Sequence, residues 1–203
     1  MSGAGTNKRL AQGRRSRGEI LDVASKLMAE RGFAATSIAD IARESGLPNS
    51  SIYWHFGSKS GILAAVMERG AERFFADAQP AVISGPPPEA LRSALRQVSD
   101  TFPEHREFLR LFILLLLSGD DESRETVARV RTRGRTSLRA IIETAFQPEG
   151  AARAARIAEH LADYALAVFD GAFLATQDSP TISHYALMDQ MAGSIVALAA
   201  DVA

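Results

Sequence analysis

The sequence predicts an all-α chain of about nine helices, and three observations predict it. Apolar residues recur three and four apart over most of the length beyond residue 16, the period of a helix with one buried face. No segment alternates apolar and polar residues as a half-buried strand does. Clusters of glycine and proline interrupt the periodic stretches where helices must stop.

The elements follow in order. Ile20, Val23, Ala24, Leu27 and Met28 form one apolar stripe, Gly32 ends that helix, and Phe33 follows as a core plug. Thr36 or Ser37 caps a second, short helix, where Ser37 with Asp40 fits the capping box. Its apolar face is Ile38, Ile41 and Ala42, and it stops at Gly46. A third helix opens near Pro48, a favoured first-turn residue, and is over by Gly57. The fourth starts around Ser58 and runs through Leu63, Val66, Met67 and Phe74 towards Pro80. Three consecutive prolines in "ISGPPPEA" cannot continue a helix and mark a linker. Five further helices are expected at Glu89–Phe102, Glu104–Ser118, Glu122–Phe146, Ala151–Gln177 and Ser183–Val202. Pro103, Gly119-Asp120-Asp121, Pro148-Glu149-Gly150 and Asp178-Ser179-Pro180 separate them.

Composition narrows the function classes. At 203 residues the chain can bury a sizeable core. The absence of cysteine excludes disulfides, thiolate catalysis and cysteine-ligated zinc. The first residues lack the apolar core of a signal peptide, and the longest apolar run, Leu111–Leu117, falls far short of the roughly 20 residues a membrane helix needs. A cytoplasmic protein without membrane contact is the expectation. Charge is uneven: residues 1–60 hold nine Lys or Arg against five Asp or Glu, and the remainder is net acidic. A basic end fits either an anionic partner or a solvated tail.

The stretch "GLPNSSIYWHFGSKSGIL" places four rings in a row on a helix too short to bury them all. Two short helices joined by a tight glycine turn, after a longer first helix, have the layout of a helix-turn-helix unit or of an ordinary helical corner. In the first case Ala42 is small at the helix crossing, Gly46 supplies a positive φ, and Leu47 and Ile52 are buried. Asn49, Ser50 and Ser51 then offer hydrogen bonds to base edges or phosphates. Tyr53, Trp54 and His55 can donate to phosphates, Lys59 can clamp one, and Phe56 turns inward. Arg14, Arg15 and Arg17 can follow the backbone or enter a minor groove, and Thr36 joins Arg17 among the candidate contacts.

In this combination the stretch resembles the signature of the TetR family of bacterial transcriptional regulators, with matches at Gly46, Ile52, Tyr53, His55, Phe56 and Lys59, and "TSIADIARESG" is similar to the family's second helix. Asn49-Ser50 departs from the lysine or glycine that many members carry there. The resemblance covers about residues 16–68. It implies a flexible basic arm over 1–15, a three-helix DNA-binding domain over 16–60 and a larger helical effector-binding and dimerisation domain over 61–203. It further implies a homodimer on a palindromic, double-stranded operator, usually a repressor released by a small molecule, with no cofactor.

The resemblance puts the dimer seam on the last two helices, where Ala154, Ala158, Leu161, Ala165, Val168 and Ala172, with Leu187, Met191, Ile195 and Leu198, recur at helical spacing. Candidate effector contacts are Phe74, Phe102, Phe108, Phe112, Leu116, Phe169 and Phe173, with His105, His160 and Tyr164 as polar partners. So apolar a set predicts a mainly hydrophobic effector. His160 and Asp163 lie one turn apart, but nothing completes a metal ligand set, so no metal is expected. The basic run "RVRTRGRTSLR" reads as a solvated face paired with nearby acids. A rival reading, an all-α enzyme, lacks an HExxH motif and a Gly-rich phosphate loop, so no catalytic residue is assigned.

Overall fold

The computed structural model describes residues 3–118, 121–179 and 181–202 and, apart from residue 178, their side chains from residue 11 onward. The turn residues Gly119, Asp120 and Pro180 lie outside these. Among the described residues there are nine α-helices and no strand. They are α1 (Gly3–Arg31), α2 (Ile38–Ser45), α3 (Asn49–Phe56), α4 (Lys59–Asp77), α5 (Pro87–Asp100), α6 (Arg106–Ser118), α7 (Asp121–Phe146), α8 (Ala151–Asp178) and α9 (His184–Ala199). None of them is long and apolar enough to cross a membrane.

The chain packs as two units. The first takes in the residues up to Ala71 together with Glu107–Val127, so the expected helix-turn-helix segment over 16–60 lies wholly within it. Here α1 packs on α2 and α3, and α2 packs on α3. Ile20, Leu21, Ala24, Leu27 and Met28 of α1 are buried, as are Ile41, Ile52, Ile62, Leu63 and Met67. Arg69 of α4 ties back to α1 through Asp22, at 2.9 Å. The flexible arm expected over 1–15 is a correction: α1 is helical from Gly3 onward. Gln12, Arg14 and Arg15 are good helix formers, and Arg15 pairs with Glu19 one turn on.

The second helix starts where the capping box predicts. Ser37, not Thr36, is the N-cap: its side chain accepts from the Asp40 amide, while the Asp40 carboxylate accepts from the Ser37 amide. Hydrogen bonds from the Ser37 side chain first, then from Arg43, hold the Asp40 carboxyl down at about 2 against its ordinary 3.8. Because the folded value is depressed, the cap's contribution is complete above the unfolded pKa and is lost as pH falls through about 2. A carboxyl-detected NMR titration should therefore place the Asp40 midpoint near 2, and Ser37→Ala should return it towards 3.8. An unmoved midpoint in that variant would refute the cap as its cause.

The second unit comprises Glu72–Arg106 and Ala128–Ala203. In it α5 and α8 both pack on α9. Arg96 forks onto Asp189, Arg92 reaches the same carboxylate at 3.8 Å, and Tyr185 donates its hydroxyl to Asp100. The basic run of α7 is neutralised as expected: Arg131 meets Asp170 at 2.8 Å, while Arg135 meets Glu159 and Asp163 at 2.7 and 3.0 Å. The stripe expected to form a dimer seam is mostly spent inside the chain. Ala154, Ala158, Leu161, Ala165, Ala172, Met191 and Ile195 are buried without any partner, since each helix turns its continuous apolar face to its own core first. The exposed face of α8 carries Tyr164, Ala167, Gly171 and Leu174 instead, and that of α9 carries Gly193, Ala197 and Leu198.

Candidate nucleic-acid interface

Gly46 closes α2 with φ of 68°, a left-handed conformation that a Cβ disfavours, and the chain turns directly into α3. Pro48 opens α3, and its carbonyl accepts from the Ser51 amide at 2.9 Å. Burying Ile52 completely fixes the rotation of this two-turn helix. Asn49, Ser50, Tyr53 and Trp54, three or four residues apart, then share the outer face. Trp54 is 78% exposed, far more than an indole accepts without a reason. Leu47, expected to be buried, is only half-buried.

Behind that face the rings support one another. The Trp54 and His55 rings meet edge to face with centroids 4.6 Å apart. The Arg17 guanidinium lies over the half-buried Phe56, 5.3 Å from its centroid, which brings an exposed basic residue of α1 to the end of α3. Burial first, then the charge of Arg17, lowers the His55 pKa. His55 therefore presents a neutral imidazole at neutral pH, with one N–H to donate.

Two expected contacts are corrected. Thr36 is 1% exposed, and its hydroxyl donates to the Gly32 carbonyl at 2.9 Å, closing the loop after α1 rather than facing outward. Lys59 turns inward as well. Its Nζ donates to the carbonyls of Phe33 and Ala34 at 3.0 and 3.3 Å and sits 4.3 Å from the Phe33 ring centroid. A cation there adds donors to carbonyls just past a helix end, that of Phe33 also accepting from the Thr36 amide at 3.2 Å, and it staples the start of α4 to the loop entering α2.

The effector candidates divide between the units. Phe108 and Phe112 are buried in the first, with Leu116 half-buried there. In the second, Phe102 packs edge-on against Phe169 and Phe173, at 5.1 and 5.6 Å between centroids, and Phe74 lies 6.4 Å from Phe169. His105 joins this cluster through Phe74, but its Nε2 faces Asp77 at 2.9 Å. His160 and Tyr164 do not join: both are exposed, because Leu161 and Ala165 take the buried face of α8. His184 was missed by the sequence reading. Its ring is 6.3 Å from that of Phe102, and its Nε2 is buried with no hydrogen-bond partner among the described residues. A lone histidine at a helix start gives no signal of this kind in sequence.

Comparison with known proteins points to one family. Residues 20–66 match the sequence profile of the bacterial regulatory proteins of the tetR family. An 83-residue stretch is 37% identical to the transcriptional repressor KstR2 of Rhodococcus jostii, covering 41% of this chain and 40% of that protein. A 53-residue stretch is 40% identical to the transcriptional regulator AcrR of Shigella flexneri, covering 26% and 25%. The matched stretches thus span less than half the length of these curated relatives. Solved structures share the fold over most of the chain. A transcriptional regulator from Saccharomonospora viridis in complex with choline has a TM-score of 0.69 at 22% identity, covering 91% of this chain and 96% of that one. The fatty acid degradation regulator FadR of Bacillus halodurans has a TM-score of 0.70 at 14% identity, covering 88% and 93%. Residues 20–66 thus carry the helix-turn-helix sequence of the tetR family of bacterial regulatory proteins, and the whole chain has the all-α fold of those solved regulators.

Proposed function

We propose that this protein is a dimeric, operator-binding transcriptional repressor released by a small, mainly apolar effector. The observation that carries the reading is the outer face of α3, where polar Asn49 and Ser50 stand beside exposed Tyr53 and Trp54 on a helix fixed by buried Ile52. Such a face offers donors and acceptors to base edges and rings to sugars or thymine methyls. Arg17 and neutral His55 add phosphate contacts, and Ser51, half-buried, reaches the same groove.

One short helix reads few bases, so useful affinity needs two half-sites about 34–36 Å apart on the duplex. The exposed Tyr164, Ala167, Gly171 and Leu174 of α8, with Gly193, Ala197 and Leu198 of α9, support a second copy of the chain as the partner, since small residues let helices approach closely. The Phe102, Phe169 and Phe173 cluster supports an apolar effector, and the unpartnered Nε2 of His184 supports one hydrogen-bonding group on it. Release then requires only that the effector bind the DNA-free dimer better than the DNA-bound one.

The test is selection of bound sequences from random duplex DNA by the purified protein, with binding followed against salt. Enrichment of a two-fold symmetric site is expected, and weak salt-sensitive binding without enrichment would refute the reading. Trp54→Ala supplies the internal control. It should leave the unfolding free energy within about 0.5 kcal/mol of the parent, as a change at an exposed position does. It should weaken binding to the selected site by about tenfold, the size of one lost base or sugar contact.

A further inference from the structure

We infer that Asp77, Glu104 and His105 form a binding site for a divalent transition-metal ion at the end of α4. One donor atom from each residue lies within 4.8 Å of the other two. The His105 Nε2 and the Asp77 Oδ2 are 2.9 Å apart. Donors on adjacent corners around an ion with bonds of about 2.1 Å are about 3.0 Å apart in an octahedron and about 3.4 Å apart in a tetrahedron, so this pair can ligate one ion with at most a small widening. The inference is independent of the proposed DNA binding and of the effector.

Three features separate this cluster from a chance meeting of acids. His105 is 8% exposed, so its imidazole is held in one orientation, with its ring edge-to-face to Phe74 at 5.5 Å. A backbone bond from its amide to the Thr101 carbonyl at 3.2 Å fixes the turn that carries it. The side chain of Asp77, in contrast, is 55% exposed, and Glu104 is exposed too, so an ion reaches the donors from solvent and completes its shell with water.

The electrostatics also call for a cation. Asp77 is the last residue of α4, where the negative end of the helix dipole already disfavours a carboxylate. Glu104 adds a second negative charge within reach. Elsewhere in this unit Asp163, Asp170, Asp189, Glu149 and Glu159 are each paired with arginine. Among the described residues neither Asp77 nor Glu104 has an arginine or lysine partner; only the His105 imidazole faces Asp77. One nitrogen and two carboxylate donors suit zinc or its first-row neighbours better than magnesium, which takes oxygen ligands alone. The ion would tie the end of α4 to the turn between α5 and α6, two segments of the same unit.

The test uses untagged full-length protein stripped with chelator, titrated calorimetrically with Zn²⁺ and separately with Mg²⁺. One equivalent of Zn²⁺ per chain is expected, bound at least about tenfold more tightly than Mg²⁺. Loss of an outer-shell partner alone costs about 10–100-fold in affinity, so Glu104→Gln and Asp77→Asn should each cost at least tenfold. Both positions are exposed and leave the fold intact, whereas His105→Ala would open a hole beside Phe74. His160→Ala, which removes an exposed histidine elsewhere, should leave the affinity unchanged. The His105 imidazole resonances should shift on Zn²⁺ addition. Absence of stoichiometric binding would overturn the site and leave a plain His105–Asp77 hydrogen bond. Binding unmoved by both carboxylate variants, or abolished by His160→Ala, would overturn it equally.

Discussion

Gly61→Ala should destabilise the protein by about 3 kcal/mol, the upper end for forcing an extra carbon into a packed site. A Cβ built at Gly61 falls 2.1 Å from the Phe56 carbonyl oxygen and 3.2 Å from its carbon. These are backbone atoms of the helix proposed to read DNA, so no rotamer change relieves the clash. Either α3 or the first turn of α4 must move. Operator affinity should therefore fall together with stability, which a urea melt and a binding titration measure side by side. Gly13→Ala is the control: nothing lies within 4 Å of its added carbon and the site is helical, so it should be neutral or stabilising by up to about 1 kcal/mol. Equal melting curves for Gly61→Ala and the parent would refute the tight α3–α4 turn.

Lys59→Met should cost about 1.5–3 kcal/mol of stability, the usual worth of hydrogen bonds to a charged group. The variant keeps most of the apolar stem over Phe33 and removes only the ammonium, so the Ala34 carbonyl loses this donor and the Phe33 carbonyl keeps only the Thr36 amide, at 3.2 Å. The two roles open to this lysine differ in a measurable way. As a staple it lowers stability and leaves the salt dependence of DNA binding unchanged. As a phosphate clamp it would leave stability alone and reduce the slope of log K against log salt by about 0.9. The inward geometry predicts the first result, and a reduced slope with an unchanged melt would reinstate the clamp.

Much of the fold was legible because its signals are local. The stripe from Ile20 to Met28, the capping box at Ser37 and Asp40, the left-handed glycine at 46 and the prolines before α5 each act within a few residues. The five later helices accordingly fall within a few residues of the spans expected. The helix-turn-helix was legible for the same reason, since its turn and both its helices fit in under twenty residues. The arm expected over 1–15 rested on the resemblance and on its basic residues, whereas from Gly3 onward this stretch continues α1.

The site was legible only in part. Exposure of Tyr53 and Trp54 follows from the shortness of α3, which cannot hide consecutive rings. Periodicity finds an apolar stripe on α8, but a stripe does not say whether its partner is the same chain or another; here it is the same chain. His160 and Tyr164 were placed with the aromatic cluster on residue type, and one step of helical rotation turned them to solvent.

What the sequence determined by itself is the all-α architecture, the order of its helices and the family of its helix-turn-helix, since caps, turns and a two-turn reading helix are written within one or two helical turns of chain. The tertiary structure alone decided the long-range partners. It turned Lys59 onto carbonyls some 25 residues earlier, set Gly61 against the Phe56 carbonyl, left Nε2 of His184 unpartnered and brought His105 to Asp77 across 28 residues. A side chain's partner depends on how helices cross, and the crossing is fixed by the packing of whole apolar faces, which no local pattern of residues encodes.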